Sequence, residues 1–162
     1  FQPQIRTMKE YDFVVIGGGS GGYAAARMAT SLGLSTAVIE GGEEVGGLCI
    51  LRGCMPSKTL IESANRYRTL RHAGEFGLSA EKIGFDAAEI IARKRRLIAE
   101  FADYRKEQLE SGRFDFTRGK AEFLDPHTLR VSLMDGGEQV VSLRSGCMPG
   151  WLSSVSSLTR TK

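Results

Sequence analysis

Six residues near the start of the chain, Gly17-Gly18-Gly19-Ser20-Gly21-Gly22, restrict its fold more than any other segment. They follow a short apolar run rich in β-formers, Tyr11-Asp12-Phe13-Val14-Val15-Ile16, and lead into an alanine-rich stretch from Ser20 to Leu32 that Gly33 stops. The run reads as a buried parallel strand and the stretch as a helix. Ser35-Thr36-Ala37-Val38-Ile39-Glu40 reads as a second strand, which completes a βαβ unit of about 30 residues. Gly17, Gly19 and Gly22 fit the pattern G-x-G-x-x-G. The first permits a tight turn, the second lets a pyrophosphate reach the backbone, and the third lets helix and strand pack closely. The phosphates of such a ligand sit on the free N–H groups of the helix N-terminus. Glu40 stands 23 positions beyond Gly17, where an acidic side chain can accept from ribose hydroxyls. A tight turn with no ligand is the alternative.

Glycine is also the compositional outlier, with 20 of 162 residues against a usual share of roughly 7%. Eleven of them lie between Gly17 and Gly53, so the backbone there must turn tightly or approach something closely. That cluster runs into Gly46-Gly47-Leu48-Cys49-Ile50-Leu51-Arg52-Gly53-Cys54-Met55-Pro56-Ser57-Lys58. Two cysteines with four residues between them can reach disulfide distance if the turn bends sharply. Cys54 comes just before a helix, and its thiolate gains from the helix N-terminus and from Lys58, four positions on. A nucleophilic sulfur with an exchange partner is the minimum equipment for disulfide transfer. Two buried thiols and half of a zinc site are the alternatives. Zinc needs further ligands, and Cys147, His72 and His127 repeat no such spacing, so no metal site is expected.

The remaining pattern places these segments in an α/β fold. Residues 56–71 read as a helix with Leu60, Ile61, Ala64, Tyr67 and Leu70 near helical spacing, and residues 86–109 as a second. Alternation then takes over, in a third strand at Phe114-Asp115-Phe116 and a β-meander through residues 121–143. The basic run Arg93-Lys94-Arg95-Arg96 sits among Ile90, Ile91, Leu97 and Ile98, which makes it the wet face of an amphipathic helix and gives no ground for nucleic-acid binding. A net charge of +3 and ordinary hydrophobicity argue against disorder, and no apolar segment is long enough to span a membrane. A soluble cytoplasmic domain is expected. Residues 1–7 read as an upstream extension, residues 8–143 as the domain proper, and residues 144–162 as an irregular or out-of-frame tail.

The glycine motif, Glu40 and the run Gly-Gly-x-Cys-x4-Cys-x-Pro-Ser-Lys together resemble the N-terminal part of the class I pyridine nucleotide–disulfide oxidoreductases, the family of dihydrolipoamide dehydrogenase, mercuric reductase and glutathione reductase. The resemblance covers about residues 9–141. It implies a Rossmann-like three-layer FAD-binding domain with a parallel sheet, a helical excursion and a β-meander. It further implies FAD held by Gly17, Gly19, Ser20, Gly21, Gly22, Glu40, Gly46 and Gly47, with Lys58 near the flavin's reactive edge and Ala121 contributing backbone groups at the adenine. Cys49 becomes the thiol that meets substrate and Cys54 the thiol beside the flavin. Electrons then pass between NAD(P)H, flavin and the cysteine pair to a small disulfide, lipoamide-like, or to a soft metal ion, in a homodimer. Leu48 departs from the family, which commonly has threonine there. Arg144-Ser145-Gly146-Cys147-Met148-Pro149 looks like an eroded copy of the family's Ala-Thr-Gly-Ser-x-Pro strand end. The nicotinamide-binding and interface domains are not in this sequence, so the alternative is a catalytically silent fragment that at best binds FAD. Such a fragment is expected to have an unpaired sheet edge.

Overall fold

The computed structural model describes residues 5–147, which form two compact units divided between residues 42 and 43 and between residues 111 and 112. The first unit contains β1 (Ile5–Ile16), α1 (Ser20–Ser31), β2 (Thr36–Glu40), β3 (Asp115–Asp125), β4 (Thr128–Leu133) and β5 (Glu138–Cys147). Its strands close into a ring in the order β1-β2-β3-β4-β5. β1 pairs in parallel with β2 and with β5, and β2 in parallel with β3. The β3/β4 and β4/β5 pairs are antiparallel, as a meander requires. Alternate residues of each strand point inward, and Val14, Ala37, Ile39, Leu129, Val131, Val141 and Leu143 form one buried cluster. Val15 and Val38 are buried as well, and α1 packs on β1 and β2. Burial on both faces explains why β1 and β2 read as unbroken apolar runs. Burying a Val, Ile or Leu side chain is worth about 1.5–3 kcal/mol, so this ring carries much of the unit's stability.

Four sequence expectations change. The third strand and the first arm of the meander are one strand, β3. It pairs with β2 through Arg118 and changes partner at Gly119, which faces Leu133 of β4. A Cβ on Gly119 would stand 2.7 Å from the Ser132 carbonyl oxygen, so the crossing strands meet there only because the residue is glycine. The expected open edge is closed along β1, because β5 is long enough to leave β4 and continue beside β1 as far as the pair Val15 and Cys147. Residues 144–147 therefore continue a strand where an irregular tail is expected. At the other end, Ile5 and Arg6 pair with Glu138 and Gln139, so part of the expected extension also belongs to β1. Residues 148–162 lie outside the described residues.

The second unit is helical: α2 (Gly47–Leu51), α3 (Cys54–Arg71), a 3₁₀ turn (Ala73–Phe76) and α4 (Ala87–Leu109). α4 packs against α2 and α3. Asp86 caps α4, accepting from the N–H of Ala88 at 2.8 Å and of Glu89 at 3.1 Å. α3 begins at Cys54, two residues before the expected start. Pro56 fits its first turn because N–H groups there lack helical partners. α2 is read as loop from the sequence, since five residues between glycines carry no helical period. Along α4, Ile90, Ile91, Leu97 and Ile98 are half-buried while Arg93, Arg95 and Arg96 are exposed, as the amphipathic reading requires; Lys94 departs from it and is half-buried. Among the described residues no helix is long and apolar enough to cross a membrane.

Candidate functional site

In the first unit, β1 ends in a glycine loop that opens α1. Gly17 donates its N–H to the Ile39 carbonyl at 2.8 Å, which ties the loop to the end of β2. A Cβ on Gly22 would lie 1.9 Å from the Gly17 carbonyl oxygen and 3.1 Å from Val15 Cγ1, so no other residue fits. This is the close helix–strand packing the motif predicts. Gly19 caps α1 without a side-chain hydrogen bond, and no acidic residue stands in the first turn. The N–H groups of Ser20, Gly21 and Gly22 therefore stand at the positive end of a helix with no side-chain cap.

Glu40, at the end of β2, is buried. Its Oε2 accepts from the Gly18 N–H and its Oε1 from the Gly42 N–H, both at 2.7 Å. A carboxylate has about four acceptor positions, so two remain for hydroxyl donors. The Arg118 guanidinium donates to the Gly42 carbonyl at 2.5 Å and fixes the turn after Glu40. A Cβ on Gly41 would come within 3.0 Å of the Gly119 carbonyl oxygen, which brings the segment before Ala121 beside that turn. Ala121 itself is half-buried, with its side chain against the ring interior. Sequence reasoning missed Arg118 altogether, because a lone arginine on a strand carries no signal. The Gly41-Gly42 pair directly after Glu40 was a readable hint of a tight turn.

The second unit holds the two cysteines. Gly46 and Gly47 adopt φ of +139° and +71°, which turn the chain into α2. Cys49 is half-buried within α2, and Cys54 is the exposed first residue of α3. Both are reduced. The Cys49 thiol is pushed above the ordinary thiol range, first by its hydrogen bond to the Cys54 side chain, then by desolvation and by the charge of Cys54. The Cys54 N–H and the Lys58 ammonium pull it back. The structure thus brings Cys49, Cys54 and Lys58 into one electrostatic group. Among the described residues, no cluster of three or more His, Cys, Asp or Glu side chains could hold a metal ion.

A glycine cradle with uncapped N–H donors, next to a buried carboxylate with spare acceptor positions, fits the pyrophosphate and ribose of a dinucleotide. The chain is similar to proteins already known. The family model for pyridine nucleotide-disulphide oxidoreductases matches residues 11–141. Dihydrolipoyl dehydrogenase of Bacillus subtilis is 40% identical over 117 residues, which cover 72% of this chain and 24% of that protein. Leghemoglobin reductase of Vigna unguiculata is 35% identical over 133 residues, covering 82% and 25%. The chain therefore spans about a quarter of the length of these relatives. The Cu(II) complex of HOCl-induced flavoprotein disulfide reductase RclA from Escherichia coli is structurally similar, with a TM-score of 0.71 at 25% identity. The match covers 93% of this chain and 31% of that one.

Proposed function

Because this chain belongs to the pyridine nucleotide-disulphide oxidoreductase family, we propose that it is the FAD- and dithiol-bearing portion of a dithiol/disulfide oxidoreductase. The observation that carries the reading is the uncapped glycine cradle beside the buried Glu40 carboxylate. Within the helical unit, Cys49 and Cys54 lie close enough for Cys54 to raise the Cys49 thiol. Gly17, Gly19, Ser20, Gly21 and Gly22 hold the FAD pyrophosphate, and Glu40 holds the adenosine ribose. Gly46, Gly47, Lys58 and the backbone of Ala121 complete the cofactor's contacts. Bound there, the flavin supplies two-electron transfer between NAD(P)H and the cysteine pair.

The chemistry of the chain's own residues is thiol–disulfide exchange. Cys49 gives up its proton to water and attacks one sulfur of a small disulfide. The first thiolate leaves and takes up a proton. Cys54 then attacks the Cys49 sulfur of the mixed disulfide, expelling the second thiol. One disulfide and one dithiol become two thiols and the Cys49–Cys54 disulfide, with two electrons and two protons transferred. A lipoamide-like disulfide fits this step. A soft metal ion is the second acceptor in this reading; the similar RclA is described as a Cu(II) complex, which makes a metal ion near such a domain worth testing. As in the family, the working unit is a homodimer.

FAD and NAD titrations of purified chain, followed by flavin fluorescence, test the cofactor, and mass mapping after mild oxidation and alkylation tests the thiols. FAD taken up in preference to NAD, with a Cys49–Cys54 disulfide and free Cys147, supports the reading. Tight NAD binding without FAD, or a disulfide through Cys147, overturns it.

A further inference from the structure

Arg118 stands opposite Glu40 in the register of β3 against β2, and its guanidinium meets two different acceptors. Nη2 donates to the Gly42 carbonyl at 2.5 Å and lies 3.3 Å from the Met134 sulfur. Met134 opens the turn between β4 and β5, where its N–H donates to the Arg118 carbonyl at 3.1 Å. Met134 is 48% exposed, whereas Arg118 is half-buried. An oxidisable sulfur within reach of solvent therefore shares one guanidinium nitrogen with the turn that follows Glu40. Met8 and Met28 are exposed too, but the Met28 sulfur meets the Ser31 hydroxyl of its own helix. A thioether is a weak acceptor, so in the reduced protein the nitrogen serves mainly Gly42.

We propose that Met134 is an oxidation site whose sulfoxide loosens the turn at Gly42 and, through it, the ribose end of the cofactor site. The oxidant is a peroxide. The thioether sulfur attacks one oxygen of hydrogen peroxide, the O–O bond breaks and an S=O bond forms. The attacked oxygen's proton passes to the departing hydroxide, which leaves as water. Sulfur loses two electrons and the peroxide gains them. The product is a polar side chain in place of an apolar one. Its oxygen is a stronger acceptor than the sulfur and competes with the Gly42 carbonyl for the charged donor. Gly42 also supplies the N–H that holds Glu40 Oε1 at 2.7 Å, so a freed turn takes one of the carboxylate's two donors with it. The effect on cofactor rests on the FAD reading above, whereas the loosened turn rests on the chain's own hydrogen bonds.

The full chain is treated with hydrogen peroxide and then with dithiothreitol, which restores reversibly oxidised thiols and leaves sulfoxides in place. Peptide mass spectrometry measures the sulfoxide at each methionine. Amide exchange at Gly42, followed by NMR without cofactor, reads the turn, and FAD titration reads the site. Gly42 exchange is expected to quicken about tenfold, the low end of what a hydrogen bond to a charged group is worth, and FAD to bind about tenfold more weakly. Met134→Leu, treated alike, retains Met8, Met28 and Met55 and is expected to keep the exchange rate and affinity of untreated protein. Met134→Gln places a carbonyl acceptor near Arg118 and is expected to quicken Gly42 exchange with no oxidant. The oxidation site is overturned if Met134 stays reduced while Met8 and Met28 are oxidised, or if Gly42 exchange in the oxidised wild type is unchanged. It is equally overturned if the Leu variant quickens as far, or if the Gln variant exchanges at the wild-type rate. Quickened exchange with undiminished FAD affinity overturns the link to the cofactor site. Quickened exchange in a chain that takes up no FAD before or after oxidation supports the oxidation site and removes the cofactor reading instead.

Discussion

Replacing Glu40 by Gln tests whether one carboxylate both holds the glycine loop and recognises ribose. Its two oxygens each accept a backbone N–H at 2.7 Å, from Gly18 on one side and Gly42 on the other. Gln keeps one oxygen acceptor and turns an amide donor toward the second N–H, so one bond is lost and the other loses its charge assistance. A buried donor left unpaired costs about 1–3 kcal/mol, and the difference between charged and neutral acceptors adds about 1 kcal/mol. The expected loss is about 2–4 kcal/mol, toward the lower end because the Gly42 contact is only partly buried. Urea denaturation measures it as a lower midpoint at unchanged m. FAD gives a second readout. At a hundred times Kd a ligand stabilises by about 2.7 kcal/mol, and a tenfold weaker site loses about 1.4 kcal/mol of that. A loss below about 0.5 kcal/mol without ligand, within the range of ordinary surface substitutions, would refute the clamp. A full FAD-induced shift in the variant would remove Glu40 from the ribose site.

Gly22→Ala is expected to cost about 3 kcal/mol or more and to abolish FAD uptake. Its Cβ would sit 1.9 Å from the Gly17 carbonyl, and α1 can yield only by leaving β1. A thermal melt near wild type would contradict this. Alkylation of Cys49 by iodoacetamide, resolved from Cys54 by mass spectrometry, is expected to rise with pH to a midpoint above that of an ordinary thiol. The raised Cys49 pKa depletes its thiolate at neutral pH, and Cys54→Ala removes the largest cause, so the midpoint should move down in that variant. A midpoint that stays put would show that the Cys54 hydrogen bond does not hold the proton.

The βαβ start was legible because its rules are local. Val14, Val15, Val38 and Ile39 declare a strand buried on both faces. Gly22 declares a contact that admits no side chain, and Asp86 announces the start of α4 before any packing is known. The cysteine pair was legible in the same way, from residue types at short spacing. What the local pattern could not give was partnership. Whether residues 114–125 are two strands or one depends on β2 ending where β4 takes over, a meeting of chains made possible at Gly119 by the absent Cβ. The strand role of residues 144–147 comes from β1, more than 120 residues earlier, offering a free edge along its length. The same holds for charge. Arg93, Lys94, Arg95 and Arg96 look equivalent in sequence, but only tertiary packing gives the outer two partners and leaves the inner two facing a hollow. Propensity and motif are set by neighbours a few residues away, whereas edges, crossings and unpaired charges are set by segments that meet only in the folded chain.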